Sequence, residues 1–579
     1  MTNQEIARIL FEMALFCEME GIPFKPQAYE RAAVAIQSLE ESLEEILRKG
    51  GSKALTKIPG VGKSIADHIE KLYKTGSFPE YDKFREKMPV DVLQLRRVGG
   101  LGPKMIQTLW KKLKITNLAE LEKAAREGKI RELPSFGLRS EEKILKGLQF
   151  LEKSGNRRTF GSAINVAKSL EEFVSQFPEA GRVAIAGSLR RKRETIGDID
   201  IVVTSSNPEK IAERFCALPL VDHVYGKGNT KVNVRLRNVM DADLRIVPDE
   251  SFGAAMCYFT GSKHHCVALR ELAIKQGWKL NEYGLFEGSR RIAGATEQGI
   301  YEALGMQYTA PELREDTGEI EAALKKRLPD LIEYGDLKGD LQVQTDWTDG
   351  DDSIEAMADA AEKMGLEYIL ITDHTKGLPM TNGSDEAKLR EQMKVIRRIN
   401  EKLKKAKRKF RILAGAELNI MKDGSLDIAD EVLAELDVVG AAVHHHFHLS
   451  REEQTRRILK AMENPHVDII FHLTARKVIK RDPIELDVDA VIAGALRTGT
   501  VLEIDASPDR LDMKDEHIRK CVNAGVKMCI DSDAHATAEF HYLEYGIDQA
   551  RRGWATKKNI INTLPVEKFL RQLKQRADV

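Results

Sequence analysis

The stretch GSLRRKRETIGDIDIVV, residues 187–203, has the most informative pattern in this chain. Asp198 and Asp200 alternate with Ile199 and Ile201, so a β-strand here projects both carboxylates from one face and both isoleucines into a core. Two carboxylates on one face favour a divalent cation. The pattern therefore predicts a sheet that carries a metal-dependent site.

Immediately before that strand the sequence predicts a turn for a phosphate group. Gly187 and Ser188 supply backbone and hydroxyl donors, and Arg190 and Arg191 supply positive charge beside them. A turn of this kind next to two acids is typical of an enzyme that handles a phosphorylated substrate.

A third acid is expected on a neighbouring strand, DADLRIV, residues 241–247. It would complete a cage of hard oxygen ligands suited to Mg²⁺ and to the triphosphate that Mg²⁺ carries. Asp241 and Asp243 share one face of that strand, so the spacing alone does not choose between them.

The pattern of apolar residues changes along the 579 residues, a length that indicates several domains. Residues 1 to about 150 have helical periodicity, and strands follow at 182–189, 198–203 and 231–236. A charged helical stretch over 312–340 is expected to connect to the last domain. From about 341, short apolar strands alternate with amphipathic helices, which favours an α/β barrel or a doubly wound sheet. The strands are predicted at 368–373, 410–418, 437–444, 467–472, 500–505 and 526–531.

The charges are balanced overall, with 90 basic and 90 acidic residues, so an argument for nucleic acid depends on local charge. Between Lys53 and Lys146 there are 21 Lys and Arg against 12 Asp and Glu. Six cysteines without a C-x-x-C pair indicate reduced thiols rather than a disulfide framework. No basic leader and no apolar run of about 20 residues are present, so we expect a cytoplasmic protein that is not bound to a membrane.

The basic segment contains a repeat, at 55–76 and again at 95–115, with a weaker copy at 133–148. Each copy has a G-x-G turn followed by an amphipathic helix, which resembles a helix-hairpin-helix motif. One copy alone is better explained as a turn between packed helices, but two copies in a basic segment favour binding of the DNA backbone. The residues predicted to bind DNA are Gly60, Gly62, Lys63, Gly100, Gly102 and Lys104.

The motifs GSLRR, GDID, DLR and YFTGSKHH (258–265) together resemble the nucleotidyltransferase core of the family X DNA polymerases. The resemblance covers roughly residues 1–310 and implies that Asp198, Asp200 and Asp243 are catalytic and hold two Mg²⁺ ions, or Mn²⁺. It is the resemblance that selects Asp243 over Asp241. It also implies a nucleotide site built from Gly187, Ser188, Arg191, Tyr258, Phe259, Gly261, Cys266 and Arg270.

Two positions depart from the family pattern. Cys266 stands where the family usually has an asparagine that touches the incoming base, so we expect a weaker grip on the nucleotide. His68 stands where some relatives have the lysine that forms a Schiff base with a 5′-deoxyribose phosphate. We therefore do not predict a lyase activity.

Residues 340–540 resemble the PHP domain, named for polymerase and histidinol phosphatase, which some relatives carry at the C-terminus. The resemblance implies metal ligands, with Mn²⁺ or Zn²⁺ as the ions, at Asp349, His374, Glu417, His444, His472, Asp533 and His535. His445, His446 and His448 are not matched as ligands. The first strand ordinarily ends in H-x-H, but here it reads Gln342-Val343-Gln344. An amide oxygen is a weak ligand for a transition metal, so the hydrolytic site is expected to be impaired.

The predicted fold class is thus multidomain, with a helix-hairpin-helix arm, an α+β polymerase beta-like core and a C-terminal α/β PHP barrel. The ranges expected are 1–90 and 91–150 for the two hairpin regions, 151–255 for the palm, 256–311 for the thumb-like part, 312–339 for the linker and 340–579 for the PHP domain. The predicted function is a monomeric DNA polymerase that acts on gapped or nicked DNA with dNTPs. Two alternatives are an enzyme acting on DNA ends mainly through the PHP domain, and a non-catalytic scaffold that binds DNA ends.

Overall fold

A computed structural model shows the fold of residues 1–573, except for residues 2, 38, 40–41, 59, 97, 99–100, 135, 155–156 and 238–239. Nothing is described of the side chains of residues 4, 34, 37, 146 and 149–154. The chain forms two compact units. The first is Met1–Gly155 with Ile479–Arg481, and the second is Asn156–Val478 with Asp482–Val579.

The first unit is helical, and its amphipathic helices bury their apolar faces in two cores. Its α-helices within the described residues are α1 (Asn3–Met19), α2 (Lys25–Gln37), α3 (Leu43–Leu55), α4 (Lys63–Thr75), α5 (Pro79–Lys87), α6 (Val92–Arg96), α7 (Pro103–Leu113), α8 (Leu118–Arg126) and α9 (Leu138–Ser154).

The two predicted hairpins end at the N-termini of α4 and α7. Gly60 has φ +76°, and a Cβ on it would lie 3.1 Å from the Cβ of Arg31, so the turn packs closely on α2. Gly62 and Gly102 are the N-cap residues of α4 and α7 and offer no capping side chain. Gly100 lies outside the described residues. The arrangement leaves the first N–H groups of each helix open to an anion.

The palm is a five-stranded sheet with helices packed against it. Its strand order is β2-β4-β7-β6-β5, in which β4 and β7 are parallel and the other neighbours are antiparallel. The predicted strand over 182–189 ends early, because Gly187, with φ +62°, turns the chain into a short helix. The elements are β1 (Arg158–Thr159), α10 (Phe160–Ser175), β2 (Val183–Ile185), α11 (Gly187–Arg190), β3 (Thr195–Ile196), β4 (Asp198–Thr204), α12 (Pro208–Cys216), β5 (Val221–Lys227), β6 (Lys231–Leu236) and β7 (Asp241–Val247).

The thumb-like region packs three helices, α13, α14 and α15, against a small antiparallel sheet in the order β10-β9-β8. The prediction of one helical connector over 312–340 is wrong, because only residues 319–324 of it are α-helical. Two of its charged residues are buried against the thumb-like region, where Arg314 binds Glu297 and Glu319 binds His265. The elements are α13 (Phe252–Thr260), α14 (Lys263–Lys275), β8 (Lys279–Asn281), β9 (Gly284–Glu287), β10 (Arg290–Ala293), α15 (Glu297–Ala303) and α16 (Glu319–Leu324).

The last domain has parallel strands that alternate with helices. They form a three-stranded sheet, β11-β12-β13, and a five-stranded sheet, β14 to β18. Isolated bridges, Val343 to Ala534 and His374 to Glu417, join the two sheets in place of one continuous ladder. The elements are β11 (Gly339–Val343), α17 (Ile354–Lys363), β12 (Tyr368–Ile371), α18 (Glu386–Lys405), β13 (Arg411–Ala414), β14 (Glu417–Asn419), α19 (Asp430–Leu433), β15 (Gly440–Ala442), α20 (Arg451–Glu463), β16 (Ile469–Ile470), α21 (Val488–Thr498), β17 (Val501–Asp505), α22 (Asp515–Ala524), β18 (Met528–Asp531), α23 (Leu543–Arg552) and α24 (Val566–Leu570).

Two general expectations concern the whole chain. The six cysteines are free thiols, as predicted. Among the described residues, no helix combines the length and the apolar character needed to cross a bilayer.

Candidate functional site

The acidic cluster of the palm is built by two parallel strands in register. Asp198 and Asp200 lie on β4, and Asp200 is paired with Asp243 on β7. Burial, followed by the charges of Asp198 and Asp243, raises the pKa of Asp200 to about 7. The pKa of Asp198 is also raised, chiefly by burial and then by Asp243. Carboxylates that oppose one another's ionisation in this way form a set that a divalent cation would stabilise.

The two candidates for the third acid have different partners. Asp241 forms an ion pair with Arg235, with 2.7 Å between Oδ1 and Nε. Asp243 accepts a hydrogen bond from Asn233 and lies 3.1 Å from the Nζ of Lys231. The register pairs Asp241 with Asp198 and Asp243 with Asp200, so it places both candidates beside the cluster. Asp243 is favoured because its charge raises the pKa of both Asp198 and Asp200, whereas Asp241 acts only on Asp198 and more weakly.

The turn at Gly187 is packed directly against this cluster. A Cβ at position 187 would lie 2.1 Å from Oδ2 of Asp200, and the backbone has φ +62°. Both facts require glycine. The next residue, Ser188, lines the same cleft as Asp198 and Asp200.

The two arginines of the turn differ in what they bind. Arg190 makes two hydrogen bonds to Glu297, at 2.9 and 2.6 Å, and another to the hydroxyl of Thr260, so it is a structural residue that does not line the cleft. The prediction of positive charge beside the phosphate turn is therefore wrong for Arg190. Arg191 does line the cleft, where its Nε donates to Glu315 at 3.1 Å.

The cleft between palm and thumb-like region has a volume of about 640 Å³, within the range of small-molecule sites. Cys266 is buried, and its thiol faces the carbonyl oxygen of Tyr258 at 3.4 Å. Arg270 donates to the carbonyl of Cys266 at 3.3 Å. The cleft contains every residue of the predicted nucleotide site, namely Gly187, Ser188, Arg191, Tyr258, Phe259, Gly261, Cys266 and Arg270.

The position at which some relatives carry a lyase lysine is part of a packed core. His68 is 6% exposed and stacks on Phe78 with 4.3 Å between ring centroids. Its Nδ1 lies 2.9 Å from the hydroxyl of Tyr29. Burial lowers the pKa of the imidazole. A neutral, stacked ring is the arrangement found here, which fits the expectation that this position forms no Schiff base.

The second cluster lies at the carboxyl ends of the parallel strands of the last domain. Its centre is Glu417, whose Oε1 is 2.7 Å from Nε2 of His472 and 3.0 Å from Nε2 of His444. His374 is 3.2 Å from the other carboxylate oxygen. Burial opposes ionisation of Glu417, but His374 and His444 outweigh it and hold its pKa well below the usual range.

The imidazoles of this cluster are suited to bind a metal. Burial lowers the pKa of His444 to about 4, although Glu417 acts in the opposite sense, so the ring is neutral at pH 7. Two sets of three side chains could each hold an ion, His374 with Glu417 and His444, and His374 with Asp349 and His535. Mixed nitrogen and carboxylate ligands fit Zn²⁺ or Mn²⁺.

The remaining predicted ligand has a protein partner. Oδ2 of Asp533 lies 3.3 Å from Nε of Arg510, which is also 3.3 Å from Asp505. His445 binds the carbonyl oxygen of Gly377 at 2.7 Å. Among the described residues, the two sets of three side chains that could hold an ion include none of His445, His446 and His448, and also neither His472 nor Asp533.

Both glutamines that replace H-x-H are buried and donate hydrogen bonds to acids. Nε2 of Gln344 donates to Oε2 of Glu417 at 3.0 Å. With its amide turned so that the nitrogen rather than the oxygen faces Glu503, Gln342 donates to that carboxylate, 3.2 Å from Oε2. Among the described residues, Oε1 of Gln344 has no hydrogen-bond partner. The amides thus act as donors at positions where imidazoles would offer lone pairs.

Four protein-family profiles match successive parts of the chain. They are a helix-hairpin-helix domain over residues 1–78, a SAM-like helix-hairpin-helix tandem over 92–149, a DNA polymerase beta thumb over 255–315 and a PHP domain over 340–497. The chain is also 35% identical, over 580 residues, to the DNA polymerase/3′-5′ exonuclease PolX of Bacillus subtilis (strain 168). That alignment covers 99% of this chain and 100% of the relative. The chain belongs to the family X DNA polymerases.

More distant relatives match parts of this family X chain. A probable phosphatase of Thermoanaerobacter sp. (strain X514) is 30% identical over 235 residues, which cover 39% of this chain and 89% of that protein. DNA polymerase lambda of Rattus norvegicus is 23% identical over 345 residues, which cover 54% of this chain and 56% of the relative. The fold class predicted from the sequence is confirmed by these matches together.

Sequence analysis missed several residues of the family X cleft. Arg193 and Thr195 lie inside the stretch over 187–203 and Lys263 inside the motif YFTGSKHH, whereas Arg157 and Glu315 became apparent only when distant segments were brought together. In the PHP domain, Arg510 was missed, although it follows the predicted strand over 500–505 at its carboxyl end, where such chemistry is expected. The additional residues that line the polymerase cleft are Arg157, Arg193, Thr195, Lys263 and Glu315.

Proposed function

We propose that this chain is a template-directed DNA polymerase that fills gaps by adding deoxynucleotides to a primer 3′-hydroxyl. The observation that carries the proposal is the pairing of Asp200 with Asp243 across two parallel strands, with Asp198 two residues away and a basic cleft beside them. Similarity to PolX over the whole chain supports the same assignment.

The residues proposed to hold two Mg²⁺ or Mn²⁺ ions are Asp198, Asp200 and Asp243. Such ions, when bound, ease ionisation of the primer hydroxyl and neutralise charge on the departing pyrophosphate. The protein's own contribution is to fix the three carboxylates on adjacent strands. Asp243 also contacts Lys231 and Asn233 of β6, the neighbour of β7 on the side away from β4.

The incoming dNTP is proposed to lie in the cleft with its triphosphate at the turn of Ser188 and Arg191. Arg191 would exchange its ion pair with Glu315 for a bidentate contact to phosphate. Tyr258 and Phe259 would border the sugar. Cys266 gives the incoming base a weaker partner than an amide would, because a thiol is a poor donor and this one faces a backbone carbonyl.

Gapped or nicked DNA is the proposed partner of the helical unit. The N-termini of α4 and α7 would bind backbone phosphates through their free N–H groups, with Lys63 and Lys104 beside them, both of them exposed. These contacts read no base sequence, as a gap-filling enzyme requires.

Primer extension on a duplex with a one-nucleotide gap tests the polymerase proposal. We expect addition of the templated nucleotide with Mg²⁺ or Mn²⁺, and none of comparable efficiency with the other three nucleotides. A primer ending in a dideoxynucleotide is the control and should not be extended. Binding of DNA and dNTP without extension under any of these conditions would favour the scaffold alternative.

We also propose that the PHP domain is an impaired 3′-5′ exonuclease or phosphoesterase. The residues that support a metal site are Glu417 with His374 and His444, and the impairment follows from Gln342 and Gln344, whose amides donate to Glu503 and Glu417. A hydrolytic site needs an ion in a fixed position to lower the pKa of the attacking water. Strong Mn²⁺-dependent exonuclease activity of the unmodified chain on a 3′-labelled single strand, abolished by Glu417→Ala, would contradict the proposal.

A further inference from the structure

The phosphate turn of the palm continues into residues 191–194, which the PHP domain contacts through hydrogen bonds and ion pairs. The backbone carbonyl of Arg191 accepts a hydrogen bond from Arg552 of α23 at 2.6 Å. Lys192 pairs with Asp548 of the same helix at 3.2 Å. Glu194, two residues further on, pairs with the buried Arg476 of the PHP domain at 2.7 Å.

Arg552 and Arg191 also share one carboxylate. Oε1 of Glu315 lies 3.1 Å from Nε of Arg191 and 3.1 Å from Nη1 of Arg552, both closer than the half-exposed Arg193 at 3.7 Å. The guanidinium of Arg552 is anchored on its other side by Asp515. Its side chain is 2% exposed, and the carboxylate of Glu315 is 18% exposed. The PHP domain therefore places the fixed positive charge of Arg552 on the same carboxylate that binds Arg191, the proposed ligand of the triphosphate.

We propose that Arg552 is a positioning residue for nucleotide binding, acting through Glu315 and the backbone of Arg191. This inference rests on the proposed polymerase function. Arg191 must leave Glu315 in order to bind the triphosphate. A largely buried carboxylate without a cation is costly. Because Arg552 remains on Glu315, the carboxylate stays paired while Arg191 moves, and the carbonyl contact keeps the turn in place.

The same geometry gives the PHP domain a part in polymerisation that does not depend on its own hydrolytic activity. The contacts to the palm come from α23 and from Arg476. Among the described residues, Arg552 does not belong to either group of side chains that could hold a metal ion. A PHP domain whose metal site is impaired would still be needed for tight nucleotide binding. The proposal thus separates the structural contribution of this domain from its chemistry.

Steady-state gap filling by the full chain tests the inference. For Arg552→Ala with dTTP opposite a template adenine, we expect KM to rise about tenfold, the ratio that 1.4 kcal/mol of lost binding gives. The kcat should change far less, because Arg552 does not touch the reacting atoms. Arg552→Lys should restore part of the affinity, since an amine keeps a charge but not the forked contact to Glu315 and Asp515.

A second substitution distinguishes positioning from a general loss of structure. Adding Glu315→Gln to Arg552→Ala should lower KM again, because no carboxylate is then left to hold Arg191 back. A merely destabilised domain would not recover in this way. The matched control is Arg408→Ala, which removes a PHP-domain arginine paired with Asp359 and Glu362 and should leave KM unchanged.

The outcomes are distinct for the two proposals. If the unmodified chain extends primers and Arg552→Ala has the same KM, the inference is overturned while the polymerase proposal stands. If the unmodified chain neither extends primers nor binds dTTP with Mg²⁺ in calorimetry, both are overturned. If thermal melting shows that Arg552→Ala is unfolded at the assay temperature, Arg552→Lys and Lys192→Met decide the matter, and an unchanged KM in both overturns the inference.

Discussion

A methyl group added to Gly187 would act directly on the proposed catalytic acids. The Cβ of alanine at this position would lie 2.1 Å from Oδ2 of Asp200, where 3.4–4 Å is ordinary contact. Either the turn or the carboxylate must therefore move by about 1 Å, a displacement that costs on the order of 100-fold in rate when it affects a catalytic group. We expect Gly187→Ala to lower kcat/KM for gap filling by about 100-fold.

The substitution has a second effect that a control separates. Gly187 has φ +62°, so alanine also costs about 1–2 kcal/mol of folding stability through backbone strain. Gly288, in the hairpin between β9 and β10, has φ +58° with nothing within 4 Å of a built Cβ. Gly288→Ala should therefore lose similar stability in urea unfolding but retain gap filling. Activity of Gly187→Ala within threefold of the unmodified chain would refute the reasoning.

Three further predictions concern other parts of the chain. Asp243→Ala should reduce nucleotide addition by about a thousandfold, since a bound cation stabilises the transition state by several kcal/mol. The control, Asp241→Ala, should retain most activity. Both variants should bind gapped DNA equally well in a fluorescence anisotropy titration. The pKa of Glu297 is lowered from 4.5 to about 2, because its ion pairs with two arginines outweigh its burial. Ionised Glu297 therefore contributes about 3 kcal/mol of folding stability above its unfolded pKa, and this contribution is lost as the pH falls toward 2. In urea unfolding, Glu297→Gln should be less stable than the unmodified chain at pH 6, and its stability should decline less between pH 6 and pH 3. Changing Gln342 and Gln344 together to His should increase bound Mn²⁺, measured by mass spectrometry of metals, and restore exonuclease activity; no gain in either would mean that the amides do not cause the impairment.

Local patterns predicted where most strands of the palm and the last domain lie, although the strand predicted over 410–418 is two strands, β13 and β14, in different sheets. Most residues of the cleft were implied by the resemblance to family X. The alternation of acids and isoleucines on β4 predicted which side chains share a face, and the strand over 241–247 was predicted with its observed bounds. What the spacing left open was the choice between Asp241 and Asp243. The parallel register of β4 with β7 sets Asp241 beside Asp198 and Asp243 beside Asp200, and Asp243 has the stronger effect on the pKa values of the β4 acids. Register between strands is a property of the folded sheet, so one strand's sequence does not contain it.

Local patterns did not predict which charged residues pair with each other across long sequence separations. Glu315 and Arg552 are 237 positions apart, and each alone resembles an ordinary surface residue. Arg190 gave the opposite error, because its place in a phosphate-turn motif suggested a ligand for substrate, whereas Glu297 binds it. In each case the partner, rather than the residue itself, determines the role.

The contacts of the two glutamines support the proposal that the PHP site holds one ion fewer without a change of fold. An imidazole in place of Gln344 would offer a lone pair to a cation shared with Glu417, whereas the amide nitrogen donates to that carboxylate at 3.0 Å and so satisfies it without a cation. Gln342 does the same for Glu503. The buried acids therefore keep hydrogen-bond partners, which avoids the cost of leaving them unpaired. His374 and His444 remain on Glu417, so the half of the cluster that they form is still able to bind an ion. We therefore expect the amides to take one position of the metal cluster, while His374, Glu417 and His444 keep another.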